Sequence, residues 1–171
     1  YSNVDLNDEA ISTFREVVDT YAGTDQSIEA VGLARLVYAR INRIEEYLDW
    51  VEGLSFVNFE KSTLDSTAYE VAFDLYSEGD CDKAIKAFNN YLGRFDKGLF
   101  VLKSNYYLSQ CALKSGDKDL EIRSYTNISK LPTNKYSSKA FLFLAHHSYD
   151  SKDYSLALDR YQTLLSLGGD R

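Results

Sequence analysis

Few residues of this chain are of types that do chemistry, and their spacing assembles none of the usual machinery. His146 and His147 are the two histidines. Neighbours on a helix point about 100° apart, so the pair cannot chelate one ion from one face, and a metal site needs further ligands. They read as one groove-facing and one core-facing His. Cys81 and Cys111 have no metal-ligand spacing. They read as two buried, reduced, small apolar side chains, with a disulfide as the lesser alternative because it depends on a Cα separation. No Ser/His/Asp or Cys/His order suggests a nucleophile, and no Gly-rich loop would cradle a phosphate. Asn127-Ile128-Ser129 spells a glycosylation acceptor, but Ile128 falls on a core position and the match reads as chance. The residues therefore predict a non-enzyme with no cofactor and no metal.

Composition narrows the classes further. The formal net charge of −7 argues against nucleic acid, which selects clustered Lys and Arg, and against anionic membrane surfaces. No run approaches ~18 uninterrupted apolar residues, so no membrane span is expected. A hydrophobic content of 44% supplies a continuous core, and one Pro with nine Gly suits a nearly all-helical chain. Tyr1 and the absence of Met predict an excised interior or C-terminal piece of a longer protein.

The elements that position these residues repeat. Gly79-Asp80-Cys81-Asp82-Lys83-Ala84-Ile85 returns as Gly116-Asp117-Lys118-Asp119-Leu120-Glu121-Ile122, and again as Lys152-Asp153-Tyr154-Ser155-Leu156-Ala157-Leu158. The first residues lie 37 and then 36 positions apart. A fixed period of this size marks a helical solenoid, a surface-building fold whose default function is binding. Behind each turn runs an apolar stripe with helical spacing, such as Ala84, Ile85, Phe88, Tyr91 and Leu92. Stepping back by the period reaches Tyr47, Leu48, Val51 and Leu54, then Ala10, Ile11, Phe14, Val17 and Val18.

This pattern predicts nine helices at about 8–21, 27–40, 43–54, 65–78, 81–95, 100–115, 118–130, 137–150 and 154–167. They form one solenoid over 1–171: an orphan second helix (8–21), a degenerate unit (27–61), and units at 65–98, 100–135 and 137–167. Asp65-Ser66 and Ser137-Ser138 are candidate N-caps. Gly79 and Gly116 sit where helix ends favour a left-handed residue, and Pro132 helps stop a helix. Ala72, Ala84, Ala145 and Ala157 should let helix axes approach. Glu121 breaks this rule, which predicts local splaying or a one-residue shift bringing Leu120 inward.

Ala68, Ala72, Tyr76, Gly79-Asp80, Ala84-Ile85 and Phe88 resemble the tetratricopeptide-repeat pattern, as do Phe141, Leu144, Ala145, Asp153-Tyr154, Ala157-Leu158 and Tyr161. The fourth unit keeps Leu108, Gly116-Asp117, Ile122 and Tyr125. Residues 28–61 depart from it, with Arg35, Asn42 and Tyr47 where small residues or Gly are usual. The string from Ala87 through Phe95, followed by Gly98, Phe100 and Asn105-Tyr106-Tyr107-Leu108, resembles repeat proteins of the Gram-negative cell envelope. That resemblance implies an α-α superhelix in a periplasmic or outer-membrane-associated setting, with the cytoplasm as the alternative.

In such a fold the first helices line a concave side. Their exposed faces should carry Tyr69, Phe73 and Tyr76, then Lys103, Tyr106, Gln110 and Lys114, then Lys139, Leu142, His146 and Tyr149. Aromatics offer large contact area at low entropic cost, and the lysines could meet ligand carboxylates. The Lys/Asn clamp with which some relatives grip a peptide carboxylate is absent, since Tyr69, Phe73, Tyr106 and Gln110 stand there. The expected function is a scaffold binding a partner protein or peptide. A structural spacer arm and a glycan-binding module are the alternatives, and the exposed ends predict some end-to-end self-association.

Overall fold

The structure, a computed structural model, describes residues 3–41, 43–57 and 61–168. Among these the chain is all helix and turn: α1 (Asn3–Thr20), α2 (Asp25–Arg40), α3 (Ile44–Glu52), α4 (Lys61–Ser77), α5 (Cys81–Arg94), α6 (Val101–Ser115), α7 (Lys118–Ser129), α8 (Ser137–Asp150) and α9 (Tyr154–Gly168). The helices pack as antiparallel neighbours, most extensively within α1–α2, α4–α5, α6–α7 and α8–α9. α3 touches α2 and α4 more sparingly. Asn42, read as standing in place of a turn glycine, lies outside the described residues.

The repeating turn has a physical basis. Gly79 and Gly116 adopt φ of +87° and +77°, and Lys152 holds the same place at +62°. At each turn the following Asp amide donates back into the helix just ended, from Asp80 to Leu75, Asp117 to Ala112 and Asp153 to Ser148. This six-to-one bond closes a helix C-terminus and requires the left-handed residue. The same Asp then caps the next helix: its carboxylate accepts from the Lys83, Leu120 and Leu156 amides at 2.9–3.1 Å. One dipeptide thus stops one helix and starts the next.

The seams between paired helices hold the expected alanines, with Ala72, Ala84, Ala145 and Ala157 at 0–3% exposure. Large side chains fill the space behind them, including Phe88, Tyr91, Tyr125 and Ile128. The α6–α7 pair differs. Ser104, Asn105, Ser109 and Ser124 are buried there, and Asn127 donates from its side-chain amide to Asn105. Leu120 is turned inward, as one of the two alternatives expected, but Glu121 stays inside as well. Both are buried, and the Lys118 ammonium reaches the Glu121 carboxylate at 2.9 Å. A paired carboxylate escapes the cost that made burial look prohibitive.

Three expectations are corrected. α4 starts at Lys61, so Asp65 is not a cap but a buried side chain within the helix, accepting from Tyr91 Oη and the Leu99 amide. Ser137 does not cap α8 either; its hydroxyl accepts from the Asn134 amide in the preceding turn. Cys81 and Cys111 are disulfide-bonded, not reduced, across a Cα separation of 5.3 Å. Cys81 opens α5 and Cys111 lies in the last turns of α6, so antiparallel packing brings them level.

Candidate functional site

The lining residues are set by the first helices α4, α6 and α8. α4 and α6 touch directly, so the side chains on their facing flanks meet across the hairpin boundary. Tyr69 stacks on Phe100 with ring centroids 4.2 Å apart and leans on Phe73 at 6.0 Å. Phe73 and Tyr76 both pack on Tyr107, at 5.1 and 4.6 Å. Tyr106 stacks face to face on Tyr136 at 3.9 Å. The result is a ladder of rings from α4 to the start of α8. Burial pushes the Tyr69 and Tyr107 phenols up from their ordinary value.

The lysines expected to await a ligand carboxylate sit on ring faces. Lys103 lies 5.5 Å over Phe100 and 5.9 Å over Tyr69, Lys114 lies 5.1 Å over Tyr76, and Lys139 lies 5.4 Å over Tyr106. Each lysine belongs to a later element than the ring it covers or lies next to it, so these cation–π contacts tie hairpins together. Gln110 donates to Ser109 Oγ at 3.0 Å and accepts from Lys139.

The site residues therefore divide. Tyr69 is buried, and Phe73, Tyr76, Tyr106 and Gln110 are half-buried in the ladder. Leu142, His146 and Tyr149 on α8 are exposed, Tyr149 at 59%. His146 packs edge-on to Tyr161, and Tyr149 to Tyr154. Phe100, Tyr107 and Tyr136 were missed as ladder members. Tyr107 follows Tyr106 directly and Tyr136 precedes α8, so only the excess of aromatics around these helices signalled them. Among the described residues no group of three or more His, Cys, Asp or Glu side chains could hold a metal, and no helix is long and apolar enough to cross a membrane.

No family model matches the chain, and no curated protein does. Among solved structures it is similar to the crystal structure of MamA, at 13% identity over 96% of this chain and 90% of that one, with a TM-score of 0.48. It is also similar to nearly identical TPR-like repeats from Podosopora anserina, assigned to a kinesin light chain, at 12% identity over 96% and 88%, with a TM-score of 0.45. These likenesses concern fold, which the chain's own geometry establishes. Paired antiparallel helices, left-handed glycine turns 37 residues apart and alanine seams make this chain an all-α, tetratricopeptide-like helical solenoid.

Proposed function

We propose that the chain is a non-enzymatic scaffold that docks a partner polypeptide on its first-helix face. The observation that carries this reading is the aromatic ladder running from α4 to the start of α8, together with the exposed Leu142, His146 and Tyr149 further along α8. A rigid ring surface with an open apolar end gives contact area without ordering cost. The buried part of the ladder sets the shape, and the α8 part supplies the contact. The test is site-specific photo-crosslinking from Leu142 and Tyr149, with Leu113 as a control on another exposed surface. Crosslinks to one polypeptide from the first two, abolished by His146→Asp, support the reading; equal crosslinking from all three positions ends it.

The second reading is a structural spacer. It is favoured by the same lysines, because rings covered by the chain's own ammonium groups are already satisfied. We also propose an oxidising compartment, the periplasm or outer-membrane surface. The Cys81–Cys111 disulfide supports it, since such bonds persist where thiols are not kept reduced. Protein extracted from its native cells under alkylating conditions should take up no thiol reagent until a reductant is added; labelling without reductant contradicts this location.

A further inference from the structure

The junction between α5 and α6 is held differently at its two ends. Where α5 ends and α6 begins, Tyr91 and Asp65 hold the connecting loop through the Leu99 and Phe100 amides. Midway, Phe88 stacks on Tyr107 with ring centroids 6.0 Å apart. At the far end the Cys81–Cys111 bond joins the first residue of α5 to the last turns of α6. Lys83, in the same turn as Cys81, pairs with Asp80 rather than with α6. A buried polar network therefore closes the loop end, and a covalent bond closes the other.

The next junction is built without such a bond. Lys118 opens α7 as Cys81 opens α5. His147 stands five residues before the turn residue Lys152, as Cys111 stands five before Gly116. There α7 is tied to α8 by the Lys118 ammonium, 5.6 Å over the Phe143 ring. A weak, reversible contact thus takes the place of the bond. Covalent closure is a local feature of α5–α6 and not a requirement of the stack.

The two cysteines are unequally placed. Cys111 is fully buried in the core. Cys81 is half-buried, and Gly79, Asp82 and Lys83 around it are exposed. A thiol arriving from solvent meets Cys81 first.

We infer that this bond is a redox latch, opened by thiols that enter at Cys81, and that opening it frees the start of α5 from the end of α6 while the loop end stays closed. The reaction is thiol–disulfide exchange, with an external dithiol as the reductant. Its first thiolate bonds to Cys81 Sγ. The Cys81–Cys111 bond breaks, and its electron pair leaves on Cys111 Sγ, which takes a proton. The second thiolate then attacks the reductant's own bonded sulfur, closes a cyclic disulfide and releases the Cys81 sulfur, which takes a proton. The protein gains two electrons and two protons, and the dithiol loses them. Cys111 stays inside as a small apolar side chain. The latch requires neither binding at the α8 face nor a particular compartment.

The test begins with single-cysteine variants: Cys111→Ala leaves Cys81, and Cys81→Ala leaves Cys111. Under native conditions a pyridyl disulfide reagent should modify the first at least about tenfold faster than the second, and the two rates should converge in urea. On the unaltered protein, brief treatment with mercaptoethanol, acid quenching and peptide mapping should place the mixed disulfide on Cys81. Hydrogen exchange with and without dithiothreitol reads the latch itself. Reduction should speed exchange at least about tenfold over residues 81–87 and 108–115 and leave 95–101 unchanged. Equal native rates in the two variants, or an adduct on Cys111, overturn the entry at Cys81. Unchanged exchange at both ends makes the bond a passive staple, and faster exchange in every helix makes it a condition of folding; either result overturns the latch. If a variant fails to fold, the adduct and exchange measurements on the unaltered chain decide the matter.

Discussion

Gly98 is constrained by contact rather than by its backbone angles. A Cβ there would lie 2.4 Å from Tyr91 Oη, 2.8 Å from Asp65 Oδ1 and 2.9 Å from Phe95 Cβ. Those atoms form the buried network in which Tyr91 donates to Asp65 and accepts from the Phe100 amide, while Leu99 donates to the other Asp65 oxygen. Gly98→Ala should therefore cost about 1–3 kcal/mol in urea denaturation, because the methyl group forces apart the atoms of this buried hydrogen-bond network. Tyr91→Phe should cost a similar amount without any steric change. If Gly98→Ala were neutral, the loop would have to rearrange without loss. Gly116 makes the contrasting case. Nothing lies within 4 Å of its Cβ position, yet φ is +77°. Gly116→Ala should cost about 1 kcal/mol from backbone strain alone, and Lys152→Gly, at the equivalent turn, should move stability the opposite way.

At the scale of elements, the disulfide and the short α3 decide where the stack is firm. The Cys81–Cys111 bond closes a 30-residue loop and staples the start of α5 to the end of α6. Loop-closure entropy predicts that Cys81→Ala with Cys111→Ala loses roughly 3–4 kcal/mol, read as a lowered unfolding midpoint. A change below about 1 kcal/mol would mean that packing alone holds this junction. α3 is held differently. Arg94 of α5 reaches Asp49 at 2.6 Å and Glu52 at 3.0 Å. Its contact with Glu45 is longer, at 3.4 Å, and burial pushes that carboxyl up rather than down, so Asp49 and Glu52 carry the pairing. The turns were legible in the sequence because Gly-Asp and Asp dipeptides each do a local job at a fixed step. The bonded state of the cysteines was not, because it follows from a distance between two helices. Glu121 was misjudged for a different reason: its partner Lys118 was visible three residues away on the same helix, but its burial was weighed as if unpaired.

For the whole molecule, the aromatic content that suggested a ligand surface turns out to hold hairpins together. The sequence placed Tyr69, Phe73, Tyr76 and Tyr106 on exposed faces of their helices, whereas Tyr69 is buried and the other three are half-buried. It could not say whether those faces met solvent or a neighbour, since the separation of α4 from α6 depends on the intervening α5 and its loop. The exposed remainder, Leu142, His146 and Tyr149, lies on α8, where Tyr161 and Tyr154 of α9 pack edge-on to His146 and Tyr149. This arrangement fixes the response to alkali. Burial pushes the Tyr47 phenol from its ordinary 10.0 up to about 12, and pushes Tyr69, Tyr91 and Tyr107 up as well. Each is raised in the folded state, so the native protein holds more protons than the unfolded chain once pH exceeds about 10. The stability they provide is fully present below that pH and is lost as pH climbs through the folded values. Unfolding midpoints should be flat from about pH 7 to 9 and fall steeply between about 10 and 12, with late tyrosinate absorbance appearing together with loss of helical dichroism. Both cysteines are bonded and no free thiol remains among the described residues to start disulfide exchange. Complete tyrosine ionisation by about pH 11 with the helices intact would show that the ladder is open to solvent, and would return Tyr69 to the ligand surface.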